Sequence, residues 1–175
     1  LIWYLLHRYV LHSRFLYRFE GFAKVWKRIH YDHHRDPNDL RVLFGALYTT
    51  LPTVLAFSIP LGYVLAGFYG AVACTVSGIL VTMFYEYCHC IQHLHYTPKS
   101  QFLRNMKRLH LLHHFRNEKG NYGITNFFWD RVFRTHYDKG NNVEKSETVF
   151  NLGYTDSEIS QYPWVSQISK AQEER

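Results

Sequence analysis

Hydrophobic and polar positions are segregated along this chain rather than mixed. Residues 42–85 form a run of 44 residues without a single Asp, Glu, Lys, Arg or His. As α-helix the run would extend about 66 Å at about 1.5 Å per residue, whereas the apolar core of a bilayer is about 30 Å thick. Pro60, Gly62, Gly67 and Gly70 offer turn or kink positions near its middle. The pattern predicts a transmembrane helical hairpin over about 42–85.

A hairpin buried inside a soluble all-α protein is the alternative interpretation. It is disfavoured because neither half of the run has a charged face to present to water. The chain opens with Leu-Ile-Trp-Tyr-Leu-Leu, which we interpret as the cytosolic end, about residues 1–12, of an apolar helix that begins before residue 1. We therefore expect an all-α, integral-membrane helical protein with a transmembrane hairpin and a cytosolic helical cap.

Composition and charge place the remaining segments. The chain is 175 residues long, 47% hydrophobic, with a net charge of +6 and 3 cysteines, which excludes a disordered chain and a disulfide scaffold. Basic residues flank the apolar run through a connection (13–41) and a histidine-bearing helical region (86–117), so both flanks are predicted to be cytoplasmic. They match no nucleic-acid-binding module, and no nucleic-acid partner is expected. Residues 138–175 are predicted to be a polar, loosely packed cytosolic C-terminal tail.

Histidine carries the chemical signal of this sequence. Ten of the 12 histidines fall into four groups, two of which share the spacing H-x-x-H-H, where i, i+3 and i+4 lie on one helix face. A hairpin would return all four groups to one side of the membrane, where they can converge on a dimetal site. His95 and His136 fall outside the groups and are interpreted as structural or surface residues. The groups are His7 and His12; His30, His33 and His34; His89 and His93; His110, His113 and His114.

Ten neutral imidazoles suit Fe, Zn or Cu far better than Mg or Ca, which prefer oxygen ligands. A carboxylate-bridged di-iron bundle is excluded, because it needs two E-x-x-H pairs and only Glu86–His89 is present. His7 and His12 lie about 140° apart on an ideal helix, so the helix must bend there if both face one site.

Five further side chains have two open interpretations each. Asp32, Asp39 and Glu86 either accept hydrogen bonds from ligating imidazoles or are ordinary solvated or ion-paired carboxylates. Cys88 and Cys90 are either thiolate ligands or small packing residues.

The order H-x-x-x-x-H, H-x-x-H-H, H-x-x-x-H, H-x-x-H-H resembles the fatty acid hydroxylase/sterol desaturase superfamily of membrane di-iron oxygenases. The resemblance covers residues 1–137 and extends to three neighbouring stretches. These are His33-His34-Arg-Asp-Pro37-Asn-Asp39, Tyr85-Glu86-Tyr87-Cys88-His89, and Asn121-Tyr122-Gly123-Ile124-Thr125 with Trp129-Asp130-Arg131-Val132-Phe133. The four-residue gap between His7 and His12 is more similar to the fatty acid 2-hydroxylases than to the sterol desaturases. Arg134 stands where Gly commonly follows in the family.

The resemblance implies that 1–137 is an N-terminally truncated catalytic domain whose ten grouped histidines bind two metals and are its catalytic site. It implies two Fe ions, with Zn possible in a purified sample, and O2 as co-substrate. It implies hydroxylation of a lipid C–H bond, most simply on a fatty acyl chain, at the cytoplasmic face of a membrane. A separate electron donor of cytochrome or ferredoxin type, with its reductase, would supply electrons. The aromatic residues Tyr122, Phe127, Phe128 and Trp129 either line the acyl channel or are plain packing or an aromatic belt at the membrane interface.

Three alternatives remain open at this point. A sterol or lipid desaturase or a carotenoid hydroxylase would use the same site and differ only in substrate and product. A non-catalytic metal-binding or transport protein is disfavoured, because transporters place polar ligands inside their membrane segments and residues 42–85 carry no charged or His side chain. A zinc hydrolase is disfavoured because ten ligands leave few open positions.

Overall fold

A computed structural model of the protein describes residues 1–139 and 143–173. Within those residues the structure is all-helical and contains no strand, as the sequence predicts. Two of the short helices run on into π-helical turns, in which the backbone N–H bonds the carbonyl five residues back. The elements are α1 (Ile2–Leu6) with the turn His7–Leu11, α2 (Glu20–Trp26) with the turn Lys27–Tyr31, α3 (Asp32–Arg35), α4 (Leu47–His93), α5 (Gln101–Phe115), α6 (Phe128–Val132), α7 (Asp156–Gln161) and α8 (Trp164–Glu173).

The long helix α4 is broken at its middle and folds back on itself. Ala66 (φ −155°, ψ 34°) and Gly67 (φ 58°, ψ −146°) leave the helical conformation, and a positive φ is readily adopted only by glycine. The two limbs, 47–65 and 68–93, lie antiparallel, since the Ser58 and Thr75 hydroxyls are hydrogen-bonded at 3.1 Å across them. One of the glycines that the sequence marks as turn positions therefore makes the break.

Close backbone contact holds the limbs together one turn from the break. A Cβ atom on Gly62 would collide with the carbonyl oxygen of Gly70, and a Cβ on Gly70 would collide with that of Gly62. Small residues at such a crossing let two backbones approach, as they do where apolar helices associate in membranes.

We expect Gly62→Val to force the limbs apart at this crossing. Overpacking of this kind costs about 1–3 kcal/mol, so the unfolding temperature of the detergent-purified protein should fall by several degrees. Gly21→Val is the matched control, because a Cβ at Gly21 meets no other atom within 4 Å. Equal unfolding temperatures for the two variants would contradict the tight crossing.

The apolar surface of α4 is not covered by the rest of the described chain. Among the described helices it is the one long and apolar enough to cross a membrane, and its most apolar stretch is wholly unburied. At the tip, Val64, Leu65, Phe68 and Tyr69 are between 71% and 84% exposed. If the hairpin were buried inside a soluble protein, these residues would lie in its core. They are exposed instead.

The structure agrees with one sequence prediction about the polar segments and corrects another. The histidine-bearing region 86–117 is helical in two parts, because α4 ends at His93 and α5 begins at Gln101, with Pro98 in the intervening loop. The C-terminal tail is not loosely packed. Tyr154 and Val165 are buried against Trp26 in a hydrophobic core that joins the tail to α2.

Candidate metal centre

The ten grouped histidines meet in one place, where the ends of α1, α2 and α4 converge with α3 and α5. The side-chain nitrogens of nine of them form two adjacent clusters, in each of which the candidate ligand atoms lie within 4.8 Å of one another. The five-histidine cluster contains His33, His89, His93, His110 and His114. The four-histidine cluster contains His7, His12, His30 and His34.

His113 completes a symmetrical division of the ligands. Its nitrogens group with those of His34 and His114, one histidine from each cluster. Its ring also lies 4.7–5.1 Å from the rings of His7, His12 and His34, and on these three contacts we assign it to the four-histidine cluster. Each cluster then has five imidazoles, and the two clusters draw them from equivalent positions of the sequence motifs. A two-histidine segment gives two, the i and i+4 positions of one H-x-x-H-H group give two, and the i+3 position of the other group gives the fifth.

A π-helical turn solves the spacing problem of the first group. The backbone N–H of His12 donates to the carbonyl of His7 at 3.1 Å, an i to i+5 bond that widens the turn. The two imidazoles that an ideal α-helix would direct about 140° apart are thereby brought together, with their Nε2 atoms 3.2 Å apart. The bending expected from the sequence is this π-helical turn.

Backbone carbonyls set the tautomers of three histidines. The Nδ1 atoms of His7, His113 and His34 lie 2.7, 2.7 and 3.1 Å from the carbonyl oxygens of Tyr122, Gly120 and Val149. A carbonyl only accepts, so each Nδ1 carries the proton and each Nε2 presents a lone pair to the cluster.

Two of these carbonyls belong to one loop, 120–124, whose backbone is hydrogen-bonded to Asp130. The buried Asp130 carboxylate accepts the backbone N–H groups of Tyr122 at 2.8 Å and Gly123 at 2.9 Å, and the Thr135 hydroxyl at 2.8 Å. Asp130 therefore fixes the loop that orients histidines on two different helices.

The donor set fits a pair of transition-metal ions. Within the described residues several buried imidazole nitrogens have no hydrogen-bond partner, a condition that costs about 1–3 kcal/mol for each unless a ligand satisfies it. The Nε2 atoms of two pairs, His33–His89 and His93–His110, approach to 3.1 and 2.8 Å. Neighbouring ligands on one ion with bonds of about 2.0–2.1 Å would lie roughly 2.8–3.4 Å apart, at angles between 90° and the tetrahedral angle. The partnerless nitrogens include Nε2 of His30, His34 and His113 and both nitrogens of His114.

Burial keeps these imidazoles neutral and ready to bind metal. Desolvation lowers the pKa of His113 and His34 well below 6.5, and the neighbouring imidazoles lower it further. A metal ligand must be unprotonated, and these rings therefore need not lose a proton at neutral pH.

The other candidate side chains have different partners. Asp32 pairs with Lys27, Asp39 pairs with Arg41, and Glu86 accepts the backbone N–H of Gly45. The structure therefore favours the interpretation of these three residues as ordinary carboxylates. It disfavours the alternative, in which they accept hydrogen bonds from the grouped imidazoles.

The remaining cysteines and histidines also lie apart from the ligand sets. Cys88 is buried with Met106 and Leu109 as a packing residue, and no cysteine belongs to either cluster among the described residues. His95 is exposed and His136 lies 3.4 Å from Asp138, so both are outside the clusters as expected.

A cavity of about 340 Å³ opens beside the clusters. Its walls are mostly apolar, and His7, His30, His89 and His114 lie along it. Most of the apolar lining comes from α1 and α2, the π-helical turns that follow them, the connection between them and the loop before α4: Trp3, Leu6, Val10, Leu11, Leu16, Phe22, Val25, Ile29 and Leu43. The four aromatic residues offered by the sequence do not line it. Tyr122 packs against the His7, His12 and His113 rings instead.

Comparison with known proteins gives this arrangement a family. The sequence profile described as fatty acid hydroxylase matches residues 1–135, more than half of the chain and nearly all of the segment that carries the histidines. The chain belongs to the fatty acid hydroxylase family. The resemblance inferred from the histidine order is confirmed.

Curated relatives of this fatty acid hydroxylase family member come from fungi, plants and mammals. A ceramide very long chain fatty acid hydroxylase of Saccharomyces cerevisiae is 32% identical over 149 residues, which cover 77% of this chain and 36% of that protein. A dihydroceramide fatty acyl 2-hydroxylase of Arabidopsis thaliana is 34% identical over 137 residues, covering 77% and 55%. A fatty acid 2-hydroxylase of Mus musculus is 28% identical over 133 residues, covering 75% and 35%. No solved structure matches the chain.

The chain spans between about one third and a little over one half of these relatives' lengths. Two family-like features now have a structural reason. Asp130, in the Trp-Asp stretch, holds the 120–124 loop. Arg134 has φ 56°, in the left-handed region that favours glycine, which explains why Gly commonly occupies its position.

The sequence did not predict that backbone carbonyls accept hydrogen bonds from the histidines and so set their tautomers. Carbonyl groups have no residue-type signature, so their role at Gly120 and Tyr122 was hidden. The signal present was the density of turn-forming residues just after the last histidine group. The carbonyl of Val149 had no signal at all, because it lies outside the family match.

Proposed function

We propose that this chain is the catalytic part of a membrane di-iron oxygenase that hydroxylates a C–H bond of a lipid acyl chain. One observation carries the proposal: ten histidines, eight of them buried, stand in two five-imidazole sets beside an apolar cavity, in a member of the fatty acid hydroxylase family. The named activities of the relatives, on ceramide or fatty acyl chains, support the same class of substrate.

The membrane part of the proposal rests on α4. Its two limbs would cross most or all of the bilayer and return, with the break at Gly67 near the far side. The limb 47–65 would measure roughly 28 Å as helix, close to the thickness of a bilayer core. The histidine site would then lie at the cytoplasmic face, between flanks rich in Lys and Arg.

The two iron ions, when bound, would supply O2 activation, with electrons from a separate cytochrome- or ferredoxin-type donor. The balanced reaction is R–H + O2 + 2 electrons + 2 protons to R–OH + H2O. The chain's own part is different. The ten imidazoles would hold the ions, the loop 120–124 would orient two of those imidazoles, and the apolar wall of the cavity would hold an acyl chain beside them while keeping water out.

The cavity supports an acyl chain as occupant because its apolar residues outnumber its polar ones and four of the histidines line it. Thr49, Thr50, Thr53 and Glu86 provide the polar positions along α4. A saturated chain needs mainly apolar contact, and the few polar groups suit the polar end of a lipid.

Mass spectrometry of total lipids from cells that express the protein tests this function. We expect a lipid species one oxygen heavier than its precursor, absent from cells that express the His113→Ala, His114→Ala double variant. A species two hydrogens lighter would instead assign the desaturase reaction to the same site. Identical lipids in both cell lines, with a competent reductase present, would overturn the oxygenase and favour a metal-binding or transport protein.

A further inference from the structure

We infer that residues 143–149, which we call the brace, are a positioning element that holds one ion of the proposed dimetal site. This inference rests on the proposed metal binding but not on the reaction. The brace lies beyond the family match, which ends at residue 135. Its link to the site is the Val149 carbonyl, which accepts the Nδ1 proton of His34 at 3.1 Å.

His34 occupies the junction between the two clusters. It belongs to the four-histidine cluster, and its ring centroid lies 4.2 Å from that of His114 in the five-histidine cluster. His34 is fully buried and its Nε2 has no hydrogen-bond partner within the described residues. The one hydrogen bond that sets its tautomer and its ring orientation is therefore the bond from the brace.

The brace is hydrogen-bonded to the three residues that follow α5. Arg116 donates through Nε to the Val143 carbonyl at 2.9 Å, and its own carbonyl accepts the backbone N–H of Ser146 at 2.9 Å. Asn117 donates to the Glu144 carbonyl at 3.0 Å. These bonds tie the brace to the end of the helix that carries His113 and His114.

Glu118 accepts hydrogen bonds from two side chains of the brace. The residue is only 4% exposed, and its Oε1 accepts the hydroxyl groups of Ser146 at 2.9 Å and Thr148 at 2.6 Å. Hydrogen bonds to a charged acceptor are about twice as strong as neutral ones. Thr148 directly precedes Val149, so these hydrogen bonds fix the carbonyl that faces His34.

A continuous path of contacts therefore joins α5 to α3 through the brace. Histidines on α5 enter both clusters, and His34 on α3 enters the four-histidine cluster. The brace sets the distance between the two helices at the point where the clusters meet. An ion in the four-histidine cluster depends on it more than an ion in the five-histidine cluster, whose member from α3 is His33.

The test is the rate at which Zn²⁺ leaves the zinc-loaded protein when EDTA is added, below the unfolding temperature. The Ser146→Ala, Thr148→Val double variant removes both hydroxyl donors to Glu118. We expect about half of the bound zinc to leave about tenfold faster, at the lower end of the effect of groups that orient metal ligands, and the rest to leave at the wild-type rate. Glu118→Ala should behave in the same way.

Three controls separate this role from general loosening. Glu118→Gln keeps an acceptor oxygen and should restore release to within about twofold of wild type. Thr155→Val with Ser157→Ala removes two hydroxyls that are exposed and bonded only to each other at 3.2 Å among the described contacts. Ile168→Ala weakens the packing of α8 on the Trp26 core, so it should lower the unfolding temperature without changing zinc release.

Unchanged release in the Ser146→Ala, Thr148→Val variant, or uniform acceleration of all the zinc, would overturn the inference. Either result leaves the lipid assay of the proposed function unaffected. Conversely, the protein could oxidise no lipid and still show the expected split in zinc release. That result would support the role of the brace and overturn the proposed oxygenase activity. The two proposals therefore fail separately.

Discussion

His114→Ala should strip metal from the protein and lower product formation by at least about 100-fold. His114 is fully buried, and its ring lies within 5.2 Å of five other histidines of the site. Groups that merely orient a metal ligand cost about 10–100-fold when removed, so loss of a ligand at the centre of the site should cost more. The measurements are bound metal per chain by elemental analysis and the yield of oxidised lipid.

His95→Ala is the matched control for this prediction. The same substitution is made two residues beyond His93 on a histidine that is exposed and outside both clusters. It should keep the wild-type metal content and yield. Equal metal loss in the two variants, or full metal content in His114→Ala, would contradict the ligand assignment.

Asp130→Ala should be the most destabilising substitution outside the histidines. It leaves the backbone N–H groups of Tyr122 and Gly123 without their acceptor, and it removes one partner of the Thr135 hydroxyl, which also lies 3.0 Å from the Tyr4 hydroxyl. A buried donor left unpaired costs about 1–3 kcal/mol, so the two N–H groups together add roughly 2–6 kcal/mol. Total stabilities are about 5–15 kcal/mol, and the variant should accumulate poorly and unfold at a much lower temperature.

The protein that survives should also bind less metal, because the loop 120–124 carries the carbonyls that orient His7 and His113. Asp138→Ala is the control, since that carboxylate is 62% exposed and lies 3.9 Å from Arg108. The measurements are the unfolding temperature and the metal content. A normal unfolding temperature for Asp130→Ala would show that the loop is held by other contacts.

The sequence predicted the parts of this molecule that depend on residue type and spacing. Charge-free residues 42–85 specified the long apolar helix, and the positive φ that a turn needs was available at Gly67. The spacing of the ten histidines was enough to predict that they meet, because i, i+3 and i+4 positions share a helix face. All ten do lie together in the structure.

Other features were hidden because they depend on backbone conformation or on long-range packing. The π-helical turn at His7–Leu11 has no residue signature, although the five-residue spacing required some distortion. The packing of the C-terminal segment was hidden for a different reason. Its few apolar residues, such as Tyr154 and Val165, follow no clear periodicity, and they are buried only because Tyr17 and Trp26 present a complementary surface.

The division of each H-x-x-H-H group has a consequence for how the protein can be built. The i and i+4 histidines of a group belong to one cluster and the i+3 histidine belongs to the other, so His33 and His113 are exchanged between the two halves of the chain. Neither half holds a complete set of five. The hairpin α4 is then a covalent tether that keeps two half-sites at high effective concentration, and the exchange of His33 and His113 makes the halves obligate partners.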